Sequence, residues 1–150
     1  MLLFKKILVP LNGSKHSVQA LKMAVQIAKK FDGKIALIHV YSAVRLATMT
    51  PPRISVMAPT GVAILVEGVR EAGASVLADG EERVKAEGVQ VETLLREGHT
   101  VQEILKTARE GEFNLIVMGS RGLSKIKEIF LGSVSDGVIR NASCPVLVVK

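Results

Sequence analysis

Short strand-like runs alternate along this chain with segments of helical periodicity, and that alternation restricts its fold more than any other feature. Residues 5–10 (KKILVP), 34–41 (KIALIHVY), 115–118 (LIVM) and 145–149 (PVLVV) are brief and apolar, as buried strands are. Residues 89–95 alternate and are more polar, which places that strand near a sheet edge. After the first run, Val18, Leu21, Ala24, Val25, Ala28 and Phe31 recur at three- and four-residue spacing. They predict an amphipathic helix, opened by Ser14 as N-cap and closed by Asp32-Gly33. Val62, Leu65, Val69, Ala72, Val76, Leu77 and Val84 mark a long second helix to about Glu87. Gly68, Gly73 and Gly80 weaken it by roughly 1 kcal/mol each relative to Ala, a cost that close packing on a sheet would explain. Thr100-Val101-Gln102-Glu103 reads as a capping box; Val101, Ile104, Leu105 and Ala108 supply the buried face, and Gly111 stops the helix. A last helix is expected over about 133–141, broken before Cys144-Pro145. Between the second strand and the second helix, residues 42–61 carry Pro51, Pro52 and Pro59 and no clean period, so they read as a long surface loop, a candidate lid.

Strands alternating with helices imply a parallel sheet covered on both faces, joined by right-handed crossovers. The 150 residues suit a single domain spanning 1–150. In such sheets ligands bind beyond the carboxyl ends of the strands, where strand order reverses. The segments leaving strands one, two and four are therefore expected to converge: Pro10-Leu11-Asn12-Gly13, Val40-Tyr41-Ser42, and Gly119 onward.

The third of these segments carries the chemistry. Gly119-Ser120-Arg121-Gly122, nine further residues and then Gly132-Ser133 link the fourth strand to the last helix. Spaced glycines let backbone N–H groups approach an anion, and a helix N-terminus favours negative charge. The spacing is neither the dinucleotide fingerprint G-x-G-x-x-G nor a Walker loop, since no Gly-Lys-Ser/Thr triplet occurs. Arg121 lies between the first two glycines; Lys125 and Lys127 within the loop read more simply as surface charges, and Ile126, Ile129 and Phe130 as packing. Ser133 reads as an N-cap as well as a ligand, and Asp136 as a first-turn carboxylate favoured by the helix dipole. His39, in an apolar strand, reads as a satisfied core histidine. His16 and His99 lack metal-ligand spacing, so no metal site of protein ligands is expected. Cys144, the single cysteine, reads as packing and excludes an internal disulfide.

Composition narrows the partners. The net charge of +6 is scattered, without a block of like charges, and aromatic residues make up only 3% with no Trp. No platform for stacking single-stranded nucleic acid is present, so no nucleic-acid partner is expected. No apolar run is long enough to span a bilayer and the N-terminus lacks signal-peptide features, so a cytoplasmic location is expected, without a membrane partner.

Taken together, Ile7-Leu8-Val9-Pro10-Leu11-Asn12-Gly13-Ser14, Leu37-Ile38-His39-Val40, Val117-Met118-Gly119-Ser120-Arg121-Gly122, Leu131-Gly132-Ser133-Val134-Ser135 and Cys144-Pro145-Val146-Leu147-Val148-Val149 resemble the universal stress protein family over essentially the whole chain. The spacing G-x2-G-x9-G-S/T is similar to that of the family's ATP-binding branch. The resemblance implies an α/β, doubly wound, Rossmann-like sheet of five parallel strands in the order 3-2-1-4-5, three-layered and of the adenine nucleotide α-hydrolase-like type. It implies ATP over strands one and four. Gly119, Gly122, Gly132 and Ser133 would hold phosphates and ribose, with the Val134 N–H assisting and Met118 and Arg121 beside them. Pro10, Leu11 and Asn12 would line the nucleoside side, and Val40 would present backbone groups to adenine. The family usually has Asp where this chain has Asn12, which keeps hydrogen-bonding capacity but loses the charge.

The function implied is that of an ATP-binding sensor or regulator in the stress response, a homodimer paired through Val146–Val149. Any hydrolysis is expected to be slow, since no Walker-type lysine occurs, and Mg²⁺ would enter through the phosphates of ATP. Two other classes remain open to the sequence. One is a nucleotide-free dimeric interaction protein. The other is an enzyme attacking the ATP α-phosphate, although Leu11-Asn12-Gly13-Ser14-Lys15-His16 holds neither a Ser-Gly-Gly loop nor a His-x-x-His pair.

Overall fold

The apolar runs assemble side by side, because strands buried on both faces can hide β-branched side chains only between two helical layers. A computed structural model describes residues 3–43, 59–121 and 131–150. Its elements run β1 (Lys6–Pro10), α1 (Lys15–Phe31), β2 (Lys34–Tyr41), α2 (Pro59–Ala86), β3 (Val91–Glu97), α3 (Thr100–Glu110), β4 (Leu115–Gly119), α4 (Ser133–Asn141) and β5 (Val146–Val149). The strands form one five-stranded sheet in the order β3-β2-β1-β4-β5, every pairing parallel. The fold and strand order expected from the sequence are the ones observed.

Alternation along the strands sorts the core into two. Ile7, Val9, Leu37, Leu115 and Val117 face α1 and α2, where Ala20, Leu21, Ala24, Leu77 and Val84 meet them. Leu8, Ala36, Ile38, Ile116 and Met118 face α3 and α4, against Ile104, Ala108 and Val138. Full burial of a Val, Leu or Ile side chain contributes about 1.5–3 kcal/mol, so these two layers are the main source of stability. The polar pattern of β3 agrees with its edge position, with four of its seven residues exposed.

Four local expectations change. Pro59, Thr60 and Gly61 belong to α2 rather than to the preceding loop. Proline is at home in the first helical turn, where its missing N–H has no acceptor to lose. Residues 44–58, the rest of the candidate lid, lie outside the described residues. The expected inner face of α2 holds only in its second half. Gly73, Leu77, Gly80 and Val84 are buried, whereas Ile64 is 71% exposed and Leu65 and Val69 are also exposed. Length explains this: 28 helical residues span about 42 Å, while the eight residues of β2 span about 26 Å, so the helix outruns its sheet.

The remaining changes are at helix starts. His99, not Thr100, caps α3, its Nδ1 accepting the Gln102 N–H at 3.4 Å. Gly132, not Ser133, is the N-cap of α4, and no side chain caps that helix. Ser14 caps α1 as expected, accepting the Ser17 N–H at 3.2 Å.

Two of the α2 glycines do lie where the helix touches the sheet. A Cβ on Gly80 would stand 2.6 Å from Leu11 Cδ1, and one on Gly73 2.4 Å from His39 Cδ2. Gly68 meets nothing within 4 Å, so close packing does not account for it.

Candidate functional site

β1 pairs with β4 only through Ile7 and Leu8, while its pairing with β2 continues to Pro10. Beyond Leu8 the two central strands therefore part, and a cleft of about 490 Å³ opens at their carboxyl ends. This is the switch point of the sheet, because β1 leads to β2 on one side and β4 lies on the other.

The elements contribute to the cleft in turn. Pro10, Leu11 and Asn12 come from the exit of β1, and Val40 from the end of β2. Met118, Gly119 and Arg121 come from the exit of β4, and Gly132, Ser133 and Val134 from the start of α4. Every site residue singled out in the sequence lines this one cleft except Gly122, which lies, with Lys125 and Lys127, outside the described residues. Tyr41 and Ser42 do not line it.

Sequence reasoning missed six lining residues: Ser17, Ile38, His39, Thr100, Ile104 and Ser135. Ile38 and Ile104 look like ordinary core positions, and nothing local marks them. Thr100, which opens a capping-box pattern in the sequence, stands in the cleft wall, with His99 as the N-cap. His39 is a half-buried wall residue rather than a core histidine, and its Nδ1 lies 2.7 Å from the Leu11 carbonyl oxygen.

The wall nearest α4 is rich in donors. The first intrahelical bond of α4 runs from the Asp136 N–H to the Gly132 carbonyl at 2.9 Å. The N–H groups of Ser133, Val134 and Ser135 thus have no acceptor within the helix. No side chain caps them, and the single proton of the Ser135 hydroxyl is shared between the Ser120 carbonyl at 2.9 Å and the Gly132 carbonyl at 3.0 Å. The Gly132 N–H is itself held by the Ser120 carbonyl at 2.7 Å, which ties the helix start to the exit of β4. Ser133 is exposed, and its hydroxyl is not spent on a cap. Among the described lining residues there is an arginine and no carboxylate. Such a wall favours an anion.

Asn12 is exposed at the opposite wall, where its Oδ1 accepts the Ser14 N–H at 2.9 Å. Asp136, by contrast, turns its carboxylate to Arg140 at 3.0 Å, as its first-turn position allows. Among the described residues no three His, Cys, Asp or Glu side chains gather as a metal site. A second hollow, of about 460 Å³, lies at the amino ends of the strands beside Lys5, Lys29 and Asp32. Two of its three lysines are paired, Lys5 with Asp32 and Lys29 with Glu87, and no residue of a helix N-terminus lines it.

A parallel three-layer sheet, with a cleft at its switch point and a helix start without a side-chain cap in the wall, defines a doubly wound α/β protein with an open cleft beyond its strands. The chain belongs to the universal stress protein family, whose family model matches residues 3–150. It is 36% identical over 148 residues to universal stress protein YxiE of Bacillus subtilis (strain 168), covering 99% of this chain and all of that one. Among solved structures it is similar to MJ0577 of Methanocaldococcus jannaschii, at a TM-score of 0.84 and 28% identity over 99% of this chain and 96% of the other. A universal stress protein solved in complex with cAMP matches at a TM-score of 0.68 and 26% identity, over 98% of this chain and 97% of that one. Among the described residues no helix is long and apolar enough to cross a membrane.

Proposed function

We propose that the cleft binds ATP and that the protein is a cytoplasmic, nucleotide-dependent sensor or regulator rather than a fast enzyme. The observation that carries this is the start of α4, where three N–H groups and a free-standing serine hydroxyl face a cleft lined by an arginine and no carboxylate among its described residues. The cleft volume lies within the roughly 300–1,000 Å³ usual for small-molecule sites. The triphosphate sits at the α4 start and along the exit of β4. The nucleoside lies toward Pro10, Leu11, Asn12 and Val40. A related protein of the same family has been solved with an adenine nucleotide, which supports the choice of base. With no carboxylate among the described lining residues, Mg²⁺ enters on the phosphates, and no described residue is poised to orient an attacking water. The other two readings, a nucleotide-free interaction protein and an enzyme acting on the α-phosphate, lack a comparable observation.

Ser133→Pro tests this directly. Proline suits the first helical position, and Gly132 before it has φ −64° and ψ 160°, which a following proline requires. The variant therefore folds while losing both the Ser133 N–H and its hydroxyl. Hydrogen bonds to charged groups are each worth about 1.5–3 kcal/mol, so calorimetry should show ATP affinity reduced at least tenfold. Wild-type affinity in the variant would refute the phosphate placement. No ATP binding by wild-type protein, and no nucleotide in its acid extract, would instead favour the interaction protein. Release of AMP and pyrophosphate would favour the α-phosphate enzyme.

A further inference from the structure

The two walls of the nucleoside side are joined by one side chain. Along β2, bonds alternate between its two neighbours. The Ile35 N–H donates to Gln90 and the Tyr41 carbonyl accepts from Gly98, so odd-numbered residues face the β3 side. The Ile38 carbonyl accepts the Leu11 N–H at 2.8 Å, so even-numbered residues face the β1 side. Continuing that ladder by one step would have the Val40 N–H donate to the Leu11 carbonyl. It does not: the β1–β2 register stops at Pro10 and Ile38, and the Leu11 carbonyl oxygen lies 2.7 Å from His39 Nδ1. A carbonyl only accepts, so Nδ1 carries the proton. Among the described residues the Val40 N–H has no backbone acceptor, and Val40 lines the cleft.

The helix above holds this arrangement in place. Gly73 and Gly80, seven residues apart on one face of α2, press on His39 and on Leu11 respectively. A Cβ on Gly73 would reach 2.4 Å from His39 Cδ2 and 2.9 Å from Nε2. Leu95 Cδ1 is 3.2 Å from that same Cβ position. The imidazole thus packs directly against α2 at Gly73.

Resting on the reading of the cleft as a nucleotide site, we propose that His39 is its positioning residue on the base side. By taking the Leu11 carbonyl out of the ladder, the Nδ1–H keeps the β1 exit from zipping onto β2. The Val40 backbone N–H and carbonyl are thereby left facing the cleft, a donor–acceptor pair suited to the polar edge of a purine. His39 acts through Leu11 and Val40, with no contact to the ligand required.

Two variants separate this from plain packing. His39→Phe fills the ring's seat without a donor; His39→Asn places an amide nitrogen where Nδ1 stands. Three readouts are taken: amide hydrogen exchange at Val40 by NMR, calorimetric affinity for ATP, and affinity for inorganic triphosphate. In wild-type protein the Val40 amide should exchange quickly and the neutral imidazole should be the Nδ1–H tautomer by nitrogen-15 NMR. In His39→Phe the freed Leu11 carbonyl should capture the Val40 N–H, slowing its exchange. ATP affinity should fall about tenfold, the worth of a hydrogen bond or two, while triphosphate affinity stays unchanged. His39→Asn should restore both. Unaltered Val40 exchange in His39→Phe, an equal loss for ATP and triphosphate, or an Nε2–H tautomer in the wild type would overturn the proposal. Should His39→Phe fail to fold, the wild-type tautomer and the His39→Asn exchange profile still decide. If wild-type protein binds no ATP, the nucleotide reading falls. The exchange data then judge His39's hold on Leu11 separately.

Discussion

Gly119 and His16 are in backbone contact: a Cβ on Gly119 would stand 2.7 Å from the His16 carbonyl carbon and 2.9 Å from its oxygen. The first glycine of the loop is therefore required by the seat of α1 on β4, whatever it does for a ligand. A phosphate role read from glycine spacing has a packing role beside it at this position. Gly119→Ala should push α1 off β4 and cost about 1–3 kcal/mol, the usual range for overpacking. Gly68→Ala, in α2 with open space around it, should instead stabilise by about 0.4–1 kcal/mol. Urea midpoints for the two variants, moving in opposite directions, check both.

Asn12 is expected to tune nucleotide affinity rather than create it. Its Oδ1 is engaged by the Ser14 N–H, so the rest of the amide is what remains for the cleft. An aspartate would keep the Ser14 bond with one oxygen and present the other as a charge. Asn12→Asp should strengthen ATP binding with Mg²⁺ and weaken it in EDTA, where the carboxylate repels bare phosphates. Each change should be about 1 kcal/mol. Isotherms under both conditions check this; no change in either would place Asn12 away from the nucleotide.

Self-association is expected through β5. That strand ends the sheet, pairs only with β4 among the described strands, and leaves Leu147 36% exposed. A bare apolar edge is normally paired or covered, and two copies can pair theirs across a two-fold axis. Sedimentation at tens of micromolar, roughly the range that reveals moderate affinities, should give about twice 16.1 kDa. Leu147→Lys should shift the protein to monomer. A wild-type monomer would refute the edge pairing.

Cys144 should be a slow nucleophile. Burial pushes its thiol above the usual value, partly offset by a backbone hydrogen bond. The thiolate is the reactive form, so alkylation near neutral pH should lag behind a free cysteine and speed up on the alkaline side. The sign for stability follows. The folded state holds this proton more tightly than the unfolded one, so the contribution is full below the ordinary thiol range. It is lost as pH rises through the folded value. Between about pH 8 and 10, spanning ordinary thiol ionisation, the urea midpoint should fall less steeply for Cys144→Ala than for the wild type.

The elements themselves were legible because their signals are local. Ile7-Leu8-Val9 and Leu115-Ile116-Val117-Met118 announce strands, and the spacing of Leu21, Ala24, Val25 and Ala28 gives the buried face of α1, with Val18 and Phe31 half-buried at its margins. Convergence of the β1, β2 and β4 exits also followed, since the alternation of strands and helices leaves few other ways to cover both faces of a sheet. The inner face of α2 was misread in its first half because periodicity reports an apolar stripe, not the length of sheet beneath it. The caps of α3 and α4 lie one residue earlier than their sequence signals suggest, with His99 and Gly132 in the role expected of Thr100 and Ser133.

What the sequence determined by itself was the set of elements, their parallel arrangement and the segments that bound the cleft. All of these depend on spacing within a few residues or on rules of chain connection. Only the tertiary structure decided which side chains finish the cleft. Thr100 and Ile104 enter it because a crossover lays α3 over the sheet face near β2. His39 enters it because the Leu11 carbonyl, 28 residues away in the chain, lies within reach of its ring. A hydrogen bond between groups so far apart leaves no trace in local periodicity. Its geometry exists only once β1 and β2 are paired and α2 has closed over them.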